Sequence, residues 1–448
     1  MNPAWSDGYH AGRAYPALFH RELTPVWLAT VATALGHRAP DLSASYTWCE
    51  LGCGPGLTTL IAAAANPGGS FYAVDFDAAA IARARALAEE AGLGNAHFLH
   101  MSFADLAGAG GETLPPLDFL VSHGVLSWIS PENRRAVWRI VERWLKPGGL
   151  ACFAYMSQPG SAPLMAMQRV LRRLAETAQD AQTALSGGLG LLRALRDGGA
   201  GQFVVSPDLG AQLEQLAKEP PDYLAHEFLG EYWEPLHAAD VIAALAQTGA
   251  GFLGSATPLE NIDAVSIPAR AQPAIAALMD VPLRETAKDI ARNQSLRRDL
   301  YQRGAHALSV AEHRAALETL RFAALPGAPK AGALRFDTRI GPVDGPAEMF
   351  SPLLSALSDG RPKTFRELMA LPAYAGNGGI VNQACQMLMW AGILHPCPPR
   401  APADAAAAQA LNRVLERELA DCIWSAEALT GSGIFQDRLS ALPTRQGG

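Results

Sequence analysis

Seven consecutive residues carry the clearest chemical possibility in this chain: Glu50-Leu51-Gly52-Cys53-Gly54-Pro55-Gly56. They follow a short apolar run, Tyr46 to Leu51, and precede a helical stretch from Leu57 to Ala65. Glycine lets a chain turn tightly and lets a ligand approach the backbone closely, because no Cβ stands in the way. A dinucleotide fingerprint requires G-x-G-x-x-G, whereas Leu57 follows Gly56 here and the spacing is G-x-G-x-G. Glu50, two positions before the first glycine, suits a cationic, amino-bearing ligand better than a pyrophosphate. S-adenosylmethionine, with a sulfonium and an ammonium, meets that description.

Further candidates stand where later strands should end. Asp75 closes an apolar run twenty-three positions beyond Gly52, the place for a carboxylate that accepts from two ribose hydroxyls. Phe76 beside it is placed to flank an adenine, and Ser102-Phe103 stands where an adenine amino group is expected. The cofactor set is therefore Glu50, Gly52, Cys53, Gly54, Gly56, Asp75, Phe76, Ser102, Phe103 and His123. Around the strand ends lie His123, Trp128 and Tyr155, with Tyr9 and Tyr15 from the N-terminal segment. His123 is read as a cofactor contact or base, Trp128 as a core anchor or a wall for a cation, and Tyr155 as the leading acceptor-site residue. His226-Glu227 reads as a hydrogen-bonded helical pair, with a place in the lining of a lid as the rival role.

These residues need a frame. Tyr46 to Leu51, Ser70 to Asp75, Ala96 to Met101, Leu117 to Ser122 and Leu150 to Tyr155 read as strands, separated by connections that include helical stretches. That rhythm implies a parallel sheet, whose carboxyl ends hold ligands. A helix is expected from 17 to 36 and another from Pro131 to Leu145. Between Ser161 and Glu234 the strand signal gives way to leucine, alanine and arginine at helical spacing, broken at Ser186-Gly187-Gly188 and Asp197-Gly198-Gly199. Strand-like runs return at Gly251 to Ala256 and Arg298 to Arg303, predicting that the sheet is completed beyond a helical insertion. The expected division is 1–158 with 236–305 as the ligand-binding domain, 159–235 as the insertion, and 306–448 as a linker with a winged-helix-like module. Short helices are read there over Ala347 to Asp359, Thr364 to Leu371 and Gly379 to Ala391.

Composition narrows the classes. With 49% apolar and 18% charged residues, the 448-residue chain has the makeup of a folded globular protein. A formal charge of -7 argues against nucleic-acid or anionic-membrane partners. No apolar run is long enough to span a bilayer, and Met1 to Tyr15 predicts no secretory signal. The six cysteines lack zinc-ligand spacing and read as reduced thiols, which implies cytoplasm and no metal.

A more specific pattern is Ser122-His123-Gly124-Val125-Leu126-Ser127-Trp128-Ile129-Ser130, followed by Pro131-Glu132-Asn133-Arg134-Arg135. With the glycine loop as motif I, it resembles the class I S-adenosylmethionine-dependent methyltransferases of bacteria that carry a methyltransferase regulatory domain. Arg21-Glu22-Leu23-Thr24-Pro25, Tyr223-Leu224-Ala225-His226-Glu227-Phe228-Leu229 and Arg297-Arg298-Asp299-Leu300-Tyr301 extend the resemblance over residues 15 to 305. It implies a Rossmann-like α/β fold and methyl transfer to a nucleophile. Because the family includes lysine methyltransferases of outer-membrane proteins, it implies a protein lysine as acceptor. Where the family reads Tyr-Asn and later Pro-Gly-Trp, Met156 and Ser161 stand here, a difference that falls on the acceptor pocket. Methylation of a small metabolite or peptide natural product, an inactive cofactor-binding scaffold and a homodimer remain open.

Overall fold

Apolar runs of strand length, punctuated by glycine turns and helical crossovers, assemble into one sheet. The computed structural model describes residues 18–400, 404–419 and 422–435. Its sheet comprises β1 (Tyr46–Leu51), β2 (Gly69–Asp75), β3 (Ala96–His100), β4 (Leu117–His123), β5 (Leu145–Met156), β6 (Ala250–Ser255) and β7 (Leu296–Arg303). The order is β3-β2-β1-β4-β5-β7-β6, with β7 antiparallel to both of its neighbours. Strand order reverses between β1 and β4, the crevice where open α/β sheets bind ligands. The fold is a Rossmann-like α/β sheet.

The N-terminal helix is shorter than its periodicity suggests. A 3-10 turn at Arg21–Leu23 precedes α1 (Pro25–Ala34), because proline fits the first helical position and Thr24 remains extended. Asp77 accepts from the Ala79 and Ala80 amides to start α3 (Ala78–Glu90), the helix after α2 (Leu57–Ala65). Ser102 accepts from the Asp105 amide at the head of α4 (Phe103–Gly108), and Ser130 from the Asn133 amide at the head of α5 (Pro131–Trp144).

Side chains alternate across the sheet. Trp48, Phe119, Val121, Cys152 and Leu300 pack toward α1, while Leu51, Leu120, Phe153, Tyr155 and Tyr301 join the core under α5. The first core runs without interruption into Phe322, Phe350, Leu353 and Leu388 of the C-terminal region, which carries additional helices and small sheets. The stretch expected as a linker is therefore structural. Arg321–Ala324 is the middle strand between Lys363–Thr364 and Leu394–Cys397, and the Pro/Gly run 325–329 is a loop leaving it. Pairing with distant strands, invisible to local propensity, orders this segment.

Helices Leu164–Ala175, Ala181–Asp197, Asp208–Leu216 and Pro221–Phe228 bury their own core of Met167, Leu171, Leu185, Leu192, Leu213 and Phe228. Gly188 is not the break its sequence suggested. It lies inside Ala181–Asp197, where a Cβ would come within 2.5 Å of the Leu171 side chain, so glycine permits the close crossing. Gly198-Gly199 does end that helix. Among the described residues no helix is long and apolar enough to cross a membrane.

Candidate active site

The glycine loop bridges β1 and α2 at the reversal point. Gly52, Gly54 and Gly56 all adopt positive φ, at +71°, +51° and +74°, a region that side chains make costly. A Cβ on Gly52 would collide with the Val125 side chain, and one on Gly56 would lie 2.6 Å from Phe98. The Gly52 and Cys53 amides both donate to the Val74 carbonyl, at 2.8 and 3.2 Å. Asp75, at the end of β2, completes the turn. Its Oδ2 accepts from the Gly54 amide at 2.8 Å and its Oδ1 from the Asp77 amide at 2.9 Å. Each oxygen keeps a second lone pair able to accept a further hydrogen bond. Burial raises its pKa, against the pull of those two amides.

Other expected cofactor contacts have different employment. Glu50 turns into the protein, where its carboxylate accepts from the Thr59 hydroxyl at 2.5 Å. Burial pushes that carboxyl up to about 8 in spite of the Thr59 bond. Glu50 shares a face of β1 with Trp48, and α2 covers it there through Thr59. Ser102 spends its hydroxyl on Asp105, donating to Oδ2 at 2.7 Å and accepting from the amide at 3.1 Å, rather than pointing at an adenine. Phe103 keeps its place beside the glycine loop, 3.8 Å from the position a Gly52 Cβ would take. The Phe76 carbonyl bonds the His100 ring at 3.0 Å. The Cys53 thiol is buried, and burial raises it well above its usual range.

At the end of β4 the structure gathers residues that spacing left apart. His20 stacks on His123 with ring centroids 3.6 Å apart and planes 13° from parallel. The His20 amide donates to Thr58 Oγ1 at 3.2 Å, which seats this imidazole over the start of α2. Arg298 acts electrostatically on both rings and on Glu22. It arrives through register, since His123 lies opposite Ala154 and Ala154 opposite Arg298, all on one sheet face. Burial, then the neighbouring charges, keeps His123 neutral, and burial pushes His20 down to about 4. Burial opposes ionisation of Glu22, but Arg298 and Arg21 outweigh it and hold the carboxyl below its usual range. His123 Nε2 and Arg298 Nε have no hydrogen-bond partner among the described residues. Gly124, at φ +64°, has open space where its Cβ would stand.

The next residue of β7 points the other way. Arg297 bonds Asp299 at 2.8 Å, Asp289 at 2.5 Å and Glu285 at 3.0 Å. Tyr155 is fully buried, and its hydroxyl donates to Asp299 Oδ2 at 2.5 Å. Burial and Asp299 drive the phenol well above its usual range. The expected acceptor-site tyrosine is thus a structural anchor behind the strand end, because its side chain falls on the α5 face. Trp128 is half-buried, its indole donating to the Glu227 carbonyl at 3.1 Å. Tyr9 and Tyr15 lie outside the described residues. His20, Glu22 and Arg298 went unassigned from sequence. Their signal was the pair of motifs Arg21–Pro25 and Arg297–Tyr301, the second of which alternates across a strand.

A methyltransferase domain matches residues 49–151, and a predicted methyltransferase regulatory domain matches 220–303. An uncharacterised protein of Synechocystis sp. is 32% identical over 394 residues, covering 88% of this chain and 77% of that one. The chain belongs to the class I methyltransferases with this regulatory domain. Its fold matches that of PKMT2 from Rickettsia typhi in complex with AdoHcy, at a TM-score of 0.66 and 18% identity over 85% of this chain and 77% of that one. A second structure of PKMT2 gives 0.68 and 17%, covering 94% and 86%. The methyltransferase uses S-adenosylmethionine as its cofactor. Its regulatory match starts at the last helix of the insertion and ends on β7, so it includes Tyr223–Leu229 and Arg297–Tyr301 but not Arg21–Pro25.

Histidines that burial holds neutral should make the methyltransferase sensitive to acid. Burial pushes His395, whose ring lies 5.5 Å from that of Trp27, down to about 4, as it does His20. Unfolded histidine titrates near 6.5. Stability held by the neutral forms is therefore complete above that pH and lost as pH falls toward 4. Urea unfolding is expected to weaken by up to about 3 kcal/mol per histidine over this window. His395→Leu should flatten the decline, and an unchanged slope would remove His395 as a cause.

Proposed function

We propose that the methyltransferase transfers its methyl group to the side-chain nitrogen of a protein lysine. The stacked His20–His123 pair beside the open space at Gly124 carries the reading. An amine attacks carbon only as the free base, and its protonated form has no lone pair to offer. Neutral His123 presents Nε2 as an acceptor for an amine N–H, while the nearby charge of Arg298 disfavours a second cation. Gly52, Gly54 and Asp75 would hold the cofactor, and His123 would align the nucleophile beside it. When bound, S-adenosylmethionine supplies a methyl carbon activated by positive sulfur. The likeness of Ser122–Ser130 to the lysine-modifying members of the family supports this acceptor, as does the fold shared with PKMT2. The six free cysteines support a reducing, cytoplasmic location.

Incubating the purified protein and a labelled methyl donor with a bacterial lysate tests the proposal. Peptide mass spectrometry should place label on lysine Nζ, and His123→Ala should reduce it at least tenfold while retaining cofactor binding. Label confined to small molecules, or to another side chain, would overturn the lysine assignment.

A further inference from the structure

The roof over β4 and β5 is built from the end of the insertion. The Glu234 amide donates to the Ser127 carbonyl at 2.9 Å and the Leu236 amide to the Met156 carbonyl at 2.8 Å, while Ser127 Oγ receives the Met156 amide at 3.0 Å. Arg134 pairs with Glu234 across the same seam. Glu227 sits at this junction, its own carbonyl holding the indole of Trp128. Its carboxylate is another matter. Among the described residues it makes no hydrogen bond and no ion pair, although the residue is half-buried. Burial alone, with no charged neighbour contributing, pushes it up to about 7. The expected helical pair with His226 does not account for it.

A half-buried carboxylate with no partner is costly unless something arrives to satisfy it. Glu227 retains contact with solvent, lies against an indole edge, and belongs to the segment that covers the strand ends. A primary ammonium offers three N–H donors, and an unpartnered carboxylate is the acceptor that suits them. We propose that Glu227, in the segment that roofs β4 and β5, is the subsite that receives the primary ammonium of the methyl acceptor. The inference rests on the lysine reading and adds the residue that selects the charged amine. Glu227 holds the nitrogen as the arriving ammonium, which gives its proton to solvent before the free amine moves on to His123 for methyl transfer, so Glu227 acts in binding and not in the transfer itself.

The test uses the full chain saturated with S-adenosylhomocysteine and two probes: Nα-acetyl-lysine amide and its uncharged isostere Nα-acetyl-norleucine amide. Titration followed by NMR should show the lysine probe binding at least tenfold more tightly than the norleucine probe. Glu227→Gln should erase that preference while leaving S-adenosylhomocysteine affinity and thermal stability unchanged, and Glu227→Asp should restore part of it. A general loss of fold would weaken both probes together, so the ratio isolates the carboxylate. No preference in the native protein, or an equal preference in Glu227→Gln, would overturn the proposal. Lysine labelling in lysate that persists undiminished in Glu227→Gln would sink the subsite and leave the lysine reading intact. A Glu227-dependent preference without any methylated lysine would leave an amine subsite and sink the lysine reading.

Discussion

Arg297→Ala is expected to destabilise the protein by about 3–5 kcal/mol, the usual cost of removing one member of a buried ionic network. The guanidinium is 3% exposed and faces three acids, Asp299, Asp289 and Glu285. Glu285 keeps Lys288 at 3.6 Å as a second cation. Among the described residues Asp289 and Asp299 pair with no other cation, so they must either ionise without compensation or take up protons. Burial already pushes Asp289 up to about 7 against the pull of Arg297. Without that pull its folded pKa rises further. An acid whose folded pKa is raised loses stability as pH rises through that value, so the deficit of Arg297→Ala should grow between pH 6 and pH 8. Guanidinium unfolding at both pH values checks this, and a pH-independent deficit would mean that the acids are not the cause. Tyr155→Phe tests the same network from the other side. It removes one hydrogen bond to a charged acceptor, about 1.5–3 kcal/mol, so its turnover should fall only as far as its stability does.

That reassignment of Tyr155 shows where reading the sequence succeeds and where it stops. Strand and glycine-turn signals were local, so β1 to β5, the loop at Gly52 to Gly56 and Asp75 stood out from spacing alone. Even the return of the sheet after the insertion was visible, because Gly251 to Ala256 and Arg298 to Arg303 regain strand character. What local pattern does not reveal is the face on which a chemical side chain emerges when it stands at a strand end. Tyr155 and His123 both end strands, yet one meets Asp299 behind the sheet and the other meets His20 in front of it. The assignment depends on register between β5 and β7, strands separated by more than a hundred residues.

Some misreadings were legible in principle. Ser102 and Asp105 have the spacing of a helix cap, and the Ser102 hydroxyl is spent there rather than on a nucleobase. Gly188 was harder, since a glycine that breaks a helix and one that lets another helix approach look the same in sequence. Arg297-Arg298 is the most instructive case. Adjacent arginines on a strand go to opposite faces, so one motif furnishes both the buried anchor and the charge beside the histidine pair. A change at either position tests a different part of the protein.

Asp75→Ala should weaken binding of S-adenosylhomocysteine by roughly 100-fold or more. Two losses combine. The ribose acceptor disappears, and a pair of hydrogen bonds from hydroxyls to a carboxylate contributes about 3 kcal/mol or more, which is at least a hundredfold in affinity. The Gly54 amide also loses its acceptor, and this residue sits at φ +51° in the loop that must admit the ligand. Asp75→Asn separates the terms. Its carbonyl oxygen can still accept from the Gly54 or the Asp77 amide, but its amide nitrogen donates where a hydroxyl would donate. The loop should stay closer to its native form while ribose binding remains impaired. Calorimetric affinity should therefore be low in both variants, whereas thermal stability without ligand should fall more in Asp75→Ala. Equal affinity in Asp75→Ala and the native protein would remove Asp75 from the ribose site. A normal affinity in Asp75→Asn together with a poor one in Asp75→Ala would assign Asp75 to holding the glycine loop rather than to touching the cofactor.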